Sequence, residues 1–438
     1  MNLLILMITF LSFSAKATTP KFDNSRLFIK LHKGESIPSL DLIKSSKHLF
    51  GNNYLVYTTD ANKLQKALHS MPEVITTHKN YFAGKRVLPE ATNNKSDISI
   101  FNFGAFNDPK VGRVWSFNDA SRNGVSVNKS YISPLRIQKE EVIVAVVDTG
   151  VDYNHEDLKS VMWTNTQEIP NNGIDDDNNG YIDDVYGIST LSRDSSGNAS
   201  GDPMASHAHG THVAGTIAAK QNNNIGIAGI STNAKIMAIR TVPDSSDETD
   251  ADVVESFLYA AEHGAKLINC SFGKSHNEGG LIVNETIDHI GKTYGVLVLA
   301  AAGNDYGRNI DSRRAFPASF ESDYLLVVAS TTKRGRLSFF SNIGPRSVDL
   351  AAPGSDVYST VPGNRYQNMS GTSMATPTTA GVAAEVLSNF PELGPKQLKK
   401  VLMDSVTPVS RFQNKMVSPG RVDLFNSLQF TLNNYNNL

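Results

Sequence analysis

The chain has 438 residues, enough for one large α/β domain with a smaller one beside it. Its 40% hydrophobic and 19% charged residues exclude a disordered or coiled chain, and a net charge of −2 without any Lys/Arg block excludes a nucleic-acid surface. The single cysteine, Cys270, excludes an intramolecular disulfide, so any stapling must come from packing or metal.

At the N-terminus, the apolar run Leu3 to Phe13 precedes Ala15-Lys16-Ala17, which offers small residues at the two positions a signal peptidase reads. This predicts a signal peptide over 1–17, although no Lys or Arg precedes the run; the alternative is a buried strand. The run is shorter than the roughly 20 residues that span a bilayer, and no later segment is long and apolar enough to do so. The expected product is secreted (extracellular, or periplasmic if the source has an outer membrane), with no membrane contact in the mature form.

Residues 26 to about 80 read as a compact unit. Arg26–Leu31 and Asn53–Thr58 have strand patterns, Ala61–Ser70 a helix pattern, and Val74–Thr77 closes the set. This unit is assigned to a domain over 18–86. The polar, Pro/Asn-rich stretch that follows, with Lys85-Arg86, predicts an exposed linker or arm over 87–106 that a protease could cut. The next domain runs over 107–430 and leaves a tail at 431–438.

In that domain Glu141–Val147, Lys235–Thr241, Lys266–Cys270, Gly295–Ala301 and Tyr324–Ser330 are apolar, β-branched runs suited to strands buried on both faces. Thr211–Ala219, Ala251–His263 and Leu281–Tyr294 alternate with them as helices, with Asp250 as N-cap and Gly264 as stop for the second. Met374–Leu387 and Pro395–Met403 add two more. Such alternation predicts a doubly wound, mainly parallel α/β sheet with helices on both faces, preceded by the small α+β domain. Active groups then belong at the carboxyl ends of strands, and Asp148 directly follows the first.

Three segments carry chemistry: V-V-D-T-G at 146–150, H-A-H-G-T-H-V-A-G-T at 207–216 and G-T-S-M-A-T-P at 371–377. A serine hydroxyl attacks an acyl carbon only when an imidazole takes its proton and a carboxylate orients that imidazole. Asp148, His209 and Ser373 supply the three groups. Taken singly, each also suits a turn or a helix cap, and His207 and His212 compete with His209. An α/β-hydrolase nucleophile elbow is excluded, because Ala375 stands where its second glycine is needed.

The three segments, in the order Asp…His…Ser, closely resemble the signature segments of the subtilisin-like serine proteases. The resemblance covers roughly residues 106–428. It implies Asp148, His209 and Ser373 as the catalytic triad, with His212 structural. Ala300-Ala301-Ala302-Gly303-Asn304 resembles the family's oxyanion segment, implying that Asn304 donates its amide beside the Ser373 N–H. Ser271, Phe272 and Gly273 resemble the edge that pairs with substrate backbone. Ala301, Ala302, Gly303 and Ala315 would line a primary pocket roomy enough for a large side chain. Cys270 reads as a small buried hydrophobe.

One or two structural calcium sites are expected, and no organic cofactor. In the acidic stretch 172–184, Asp175, Asp177 and Asn179 at alternate positions, Gly180 at a sharp turn and the Tyr181 carbonyl imitate half a calcium loop, which Asp183 or Asp184 would complete. A solvated acidic loop is the alternative. The second site rests on the resemblance alone, which implies side-chain oxygens from Asp157 and Asn223 and carbonyls from Gln221, Ile225 and Ile227.

The resemblance also implies that residues 26–84 are a propeptide acting as intramolecular inhibitor, its closing stretch Val74 to Arg86 lying in the substrate cleft until self-cleavage near Lys85-Arg86. The expected function is a secreted, monomeric serine endopeptidase made as a self-processed zymogen, hydrolysing protein or peptide substrates through an acyl-enzyme on Ser373. A catalytically silent binding protein of the same fold, or a hydrolase of non-peptide esters or amides, are the alternatives.

Overall fold

A computed structural model describes residues 21–83, 106–132, 140–194, 197–244, 248–274 and 281–437. The expected signal peptide, Lys85-Arg86 and almost all of the 87–106 arm lie outside the described residues.

The first unit comprises β1 (Phe22–Leu31), β2 (Ile43–Phe50), β3 (Asn53–Thr58), α1 (Ala61–Leu68) and β4 (Val74–Tyr81). Its strands form an antiparallel sheet in the order β2-β3-β1-β4. Side chains alternate across a strand, so Leu27, Ile29 and Leu31 pack with Val56, Leu64 and Leu68 in one small core. Phe28, on the opposite face, joins Phe50 and Leu55 in the core of the large domain. A unit this small buries too little alone; covering its second face solves that problem. Strand β2 was not expected: its Lys44, Ser45, Ser46 and Lys47 give an edge strand a polar face and hide the alternation.

The large domain is built from α2 (Val127–Tyr131), β5 (Val142–Asp148), β6 (Gly187–Arg193), β7 (Ala199–Ser200), α3 (Ala208–Ala218), β8 (Ala234–Arg240), α4 (Asp250–Glu262), β9 (Leu267–Cys270) and α5 (Ile282–Tyr294). It continues with β10 (Leu297–Ala301), β11 (Leu325–Thr331), β12 (Leu350–Pro353), β13 (Val357–Val361), β14 (Arg365–Met369) and α6 (Thr372–Asn389). The last elements are α7 (Pro395–Asp404), β15 (Thr407–Pro408), β16 (Gly420–Arg421) and α8 (Leu424–Asn434).

The central sheet has the order β15-β16-β12-β11-β10-β9-β5-β8-β6-β7, parallel except at its two edges. Val144 and Val146 pack in one core with Val213 of α3 and Val382 of α6. Ala145 and Val147 pack in another with Phe257 of α4 and Ile287 of α5. Both faces are covered, as an all-apolar strand requires. The chain winds from β5 toward β8 on one side and later from β9 outward on the other, so the strand order switches between β5 and β9, where such sheets place their ligands.

Helix α4 begins one residue earlier than expected. Thr249, not Asp250, is the N-cap: its hydroxyl accepts the Asp252 N–H while the Asp252 carboxylate accepts the Thr249 N–H. That reciprocal box satisfies two orphan donors, and Asp250 pairs with Lys274 instead.

Candidate active site

Asp148 ends β5, and His209 is the second residue of α3. The chain between them comes close because Gly210 lacks a side chain: a Cβ there would lie 2.1 Å from the Gly150 carbonyl oxygen and 3.2 Å from the Asp148 Cβ. His209 Nδ1 lies 2.6 Å from Asp148 Oδ1, and both side chains are 1% exposed. The carboxylate only accepts, so Nδ1 carries the proton and Nε2 is left as a lone-pair nitrogen. Nε2 is buried without a hydrogen-bond partner among the described residues.

The neighbouring histidines do other work. His207 caps α3, its Nδ1 accepting the His209 N–H at 3.1 Å. His212 is fully buried with Nε2 2.9 Å from the Val357 carbonyl, and burial pushes it down to about 3. A histidine so disfavoured as a cation fits a structural role.

Ser373 stands in the first turn of α6, whose N–H groups have no intrahelical acceptor. Its hydroxyl donates to the Ser271 carbonyl at 2.9 Å, not to His209. Such contacts are often loose before substrate arrives. Four residues on, Pro377 has no N–H, so the helix cannot satisfy the Ser373 carbonyl. Ser271 Oγ donates to that carbonyl at 3.0 Å and accepts from Asn269 Nδ2 at 2.8 Å. The end of β9 and the start of α6 are thereby joined in both directions.

Asn304 follows β10. Its Oδ1 accepts from both the N–H and the hydroxyl of Thr372 at 2.9 Å, which makes the NH2 the outward end of the amide. The Gly303 N–H donates to the same hydroxyl at 3.2 Å. One threonine thus orients the residue after β10 from the residue before Ser373.

Ser271, Phe272 and Gly273 run from the end of β9. A Cβ on Gly273 would lie 2.7 Å from the Phe316 carbonyl oxygen, and Lys274 and Phe316 exchange backbone bonds. Beyond them a cavity is lined by Val253, Phe272, Gly273, Val283, Phe316 and Phe320. Ala83 of the first unit sits against it, its N–H on the Glu248 carbonyl at 2.9 Å, and Phe82 bridges Thr249 in antiparallel sense. Ala301 and Ala302 are buried at the end of β10, Gly303 turns the chain at φ +96°, and the half-buried Ala315 donates its N–H to Ser319. Cys270 is fully buried.

The acidic loop differs from the expected ligand set. Glu168, Asp175 and Asp177 bring carboxylate oxygens within 4.8 Å of one another. Asn179 turns its oxygen to the Tyr181 N–H and its amide to Asp177 and Asp184. Asp184 is buried under the Tyr259 hydroxyl at 2.6 Å, and burial raises it. The Tyr181 side chain reaches Glu255. Glu168, which no spacing rule flagged, folds in from the preceding turn and accepts the N–H groups of Asp176, Asp177 and Asp183. Three hard-oxygen donors fit a calcium ion.

Around Asp157 the expected residues are joined by hydrogen bonds. Asp157 accepts from Asn223 Nδ2 at 2.8 Å, the Ile227 N–H at 2.9 Å and the Tyr366 hydroxyl at 3.2 Å. Asn223 turns its oxygen to the Ile225 N–H, and the Gln221 amide donates to the Gly229 carbonyl. The Asp108 carboxylate acts on Asp157 from nearby, and Gln221 Oε1 is buried with no hydrogen-bond partner among the described residues. Burial pushes Asp157 up to about 6.

A doubly wound α/β domain with an Asp–His pair, a helix-borne serine and an oriented asparagine at one sheet edge defines a hydrolase-like site. The chain belongs to the subtilase family, whose profile matches residues 139–423. A subtilisin-like protease 1 of Plasmodium berghei (strain Anka) is 33% identical over 317 residues, 68% of this chain and 51% of that protein. A halolysin-like extracellular serine protease, Nep, of Natrialba magadii is 34% identical over 284 residues, 65% of this chain and 47% of that protein. The crystal structure of fervidolysin from Fervidobacterium pennivorans, a keratinolytic enzyme related to subtilisin, has the same fold. Its TM-score is 0.67 at 22% identity, over 93% of this chain and 61% of that one. The chain spans about half the length of the curated relatives it matches. Among the described residues no helix is long and apolar enough to cross a membrane.

Proposed function

We propose that this chain is a serine endopeptidase in which Ser373 is the nucleophile, His209 the general base and Asp148 its orienting carboxylate. The observation that carries the reading is the buried 2.6 Å Asp148–His209 contact, which leaves Nε2 as a free base at the sheet edge where Ser373 stands. The Ser373 hydroxyl leaves the Ser271 carbonyl, gives its proton to His209 Nε2 and attacks the peptide carbonyl. The oxyanion forms against the Asn304 NH2 and the Ser373 N–H. Protonated His209 then donates to the leaving amine, and water repeats the sequence on the acyl-enzyme. The Ser271–Gly273 edge holds the substrate through its main chain, with Ala301, Ala302, Gly303 and Ala315 around the residue before the scissile bond. Labelling by a fluorophosphonate, lost in Ser373→Ala, tests this; a correctly folded wild type that stays unlabelled after removal of the first unit would mean a silent binding protein.

The same reading makes the first unit an intramolecular inhibitor. Its support is the Arg26–Asp252, Lys30–Glu285 and Lys47–Glu255 ion pairs and the seat of Ala83 on the peptide edge. Export, self-cleavage after the first unit and a calcium ion on Glu168, Asp175 and Asp177 belong to the proposal; the extracellular name of the Natrialba relative agrees with export. Bound calcium would neutralise the acidic loop. N-terminal sequencing of wild type against Ser373→Ala decides self-processing: the same mature start in both assigns the cut to another protease.

A further inference from the structure

Three histidines fall within residues 207–212, and only one of them has a face to solvent. His212 is fully buried and His209 is 1% exposed, whereas His207 is half-buried. The segment that brings His207 in is fixed. The Val151 N–H donates to the Pro203 carbonyl at 3.1 Å, Asp202 Oδ1 accepts the Met204 N–H at 2.9 Å, and Arg240 of β8 donates to Ser206 Oγ at 2.6 Å. Held there at φ −118° and ψ 154°, His207 caps α3 through its side chain.

Folding alone would favour Ser, Thr, Asp or Asn at that position, whose side-chain oxygens accept a hydrogen bond at any pH near neutral. A histidine accepts only while the capping nitrogen carries no proton. The bond at stake is made to the catalytic residue itself: Nδ1 of His207 lies 3.1 Å from the His209 N–H. The two rings are 6.5 Å apart, centre to centre.

Uptake of a proton by His207 therefore has two effects. Both of its ring nitrogens become donors, so the bond to the His209 N–H is lost. A cation then stands 6.5 Å from the ring that must itself become a cation when it takes the Ser373 proton. Two unit charges at that distance disfavour one another roughly threefold in a water-like medium and about seventyfold in a protein-like one. The other charges at this corner have partners of their own. Asp148 holds His209 from the far side at 2.6 Å, Arg240 pairs with Asp244 at 4.0 Å, Asp202 accepts the Tyr153 hydroxyl and Asp152 accepts the Gly363 N–H. His212, pushed down to about 3 by burial, stays neutral near neutral pH, which leaves two rings of this segment to take protons.

We propose that His207 is a positioning residue for the catalytic imidazole that works only while neutral, so that falling pH switches the enzyme off through two histidines rather than one. This rests on the endopeptidase reading.

The test is the pH profile of fluorophosphonate labelling, and of kcat/KM on an uncharged quenched peptide, for the enzyme freed of its first unit. In wild type the acid limb should steepen beyond a slope of one, toward two, because two protonations lower the rate. His207→Asn keeps a cap acceptor and has no ring to protonate. Its acid limb should have a slope of one, and at about pH 5 it should keep about five- to tenfold more of its alkaline rate than wild type keeps. His207→Ala loses the cap as well. At about pH 8.5 its kcat should fall roughly two- to twelvefold with KM little changed, and His207→Asn should restore most of that loss. Acid limbs of equal slope in wild type and His207→Asn overturn the inference, as does a His207→Ala enzyme with the wild-type rate at alkaline pH. A His207→Asn enzyme as slow as His207→Ala at alkaline pH gives the ring a role other than capping and overturns it too. In each of these cases a wild type that labels and cleaves leaves the endopeptidase reading standing; one that stays unlabelled removes both.

Discussion

Thr372 should control the rate through Asn304 without touching substrate. It supplies both hydrogen bonds to Asn304 Oδ1, one from its backbone and one from its hydroxyl, and that hydroxyl also accepts the Gly303 N–H. Thr372→Val keeps the shape and the backbone bond but removes the other two. One net hydrogen bond is worth about 0.5–1.5 kcal/mol, so kcat should fall roughly two- to twelvefold with KM little changed. Asn304→Leu deletes the proposed oxyanion donor itself. That deletion costs about 2.7–4 kcal/mol, a figure measured on subtilisin, or 10²–10³ in kcat. Combining the two should cost no more than Asn304→Leu alone, since Thr372 acts through Asn304. Steady-state kinetics on a peptide nitroanilide, with folding checked by circular dichroism, reads all three. Full additivity in the double variant, or a wild-type kcat in Thr372→Val, would refute this route.

Ser271→Ala leaves the Ser373 carbonyl without a donor, because Pro377 offers none; denaturant unfolding should show a loss of about 1–3 kcal/mol. Adding Pro377→Ala restores a helical N–H and should recover part of it. If the acidic loop holds calcium, a chelator should lower the melting temperature by about 3–4 °C, the effect of a ligand at a hundredfold excess over its Kd. Glu168→Gln should melt at the chelated value with or without the ion; a chelator effect persisting in that variant would locate the ion elsewhere. The third test is pH. Burial alone would raise Glu255, yet Arg193 and Lys47 outweigh it and hold it below the usual carboxylate value. Arg193 stays with Glu255 when the first unit leaves, so only the Lys47 share of the depression is linked to docking: it stabilises the docked state at neutral pH and is lost as pH falls through the lower, docked value of Glu255. Hydrogen exchange of the first unit in full-length Ser373→Ala should therefore quicken at acid pH, by about 0.5–1 kcal/mol for a half-exposed pair. Lys47→Met should flatten the profile; an unaltered profile would assign the acid response to another group.

The large domain was legible because its strands are buried on both faces and its helices carry period and stops, as α4 does with Gly264 at φ +85°. Asp148 at a strand end followed from the same rule. Choosing His209 over His207 and His212 needed the family segments, since only the fold makes one a cap and buries another. Strand β2 escaped notice because an edge strand with polar faces has no alternation to read. Glu168 escaped because its partners lie seven and nine residues on and meet it only through a turn. Asp157, Asn223 and Ile227 meet, as the resemblance implied, but amide orientation is set by competing donors that a sequence does not display.

All eighteen residues of α6 are buried, so the element that bears Ser373 has no surface of its own. Amides in such a segment exchange with solvent, and its peptide bonds meet another protease molecule, only when the whole domain opens. The proposed nucleophile therefore cannot be lost by fraying or by a local nick. In a population of these molecules, the residual activity after heat, acid or self-digestion should count the intact folds directly, and partly active species should be rare.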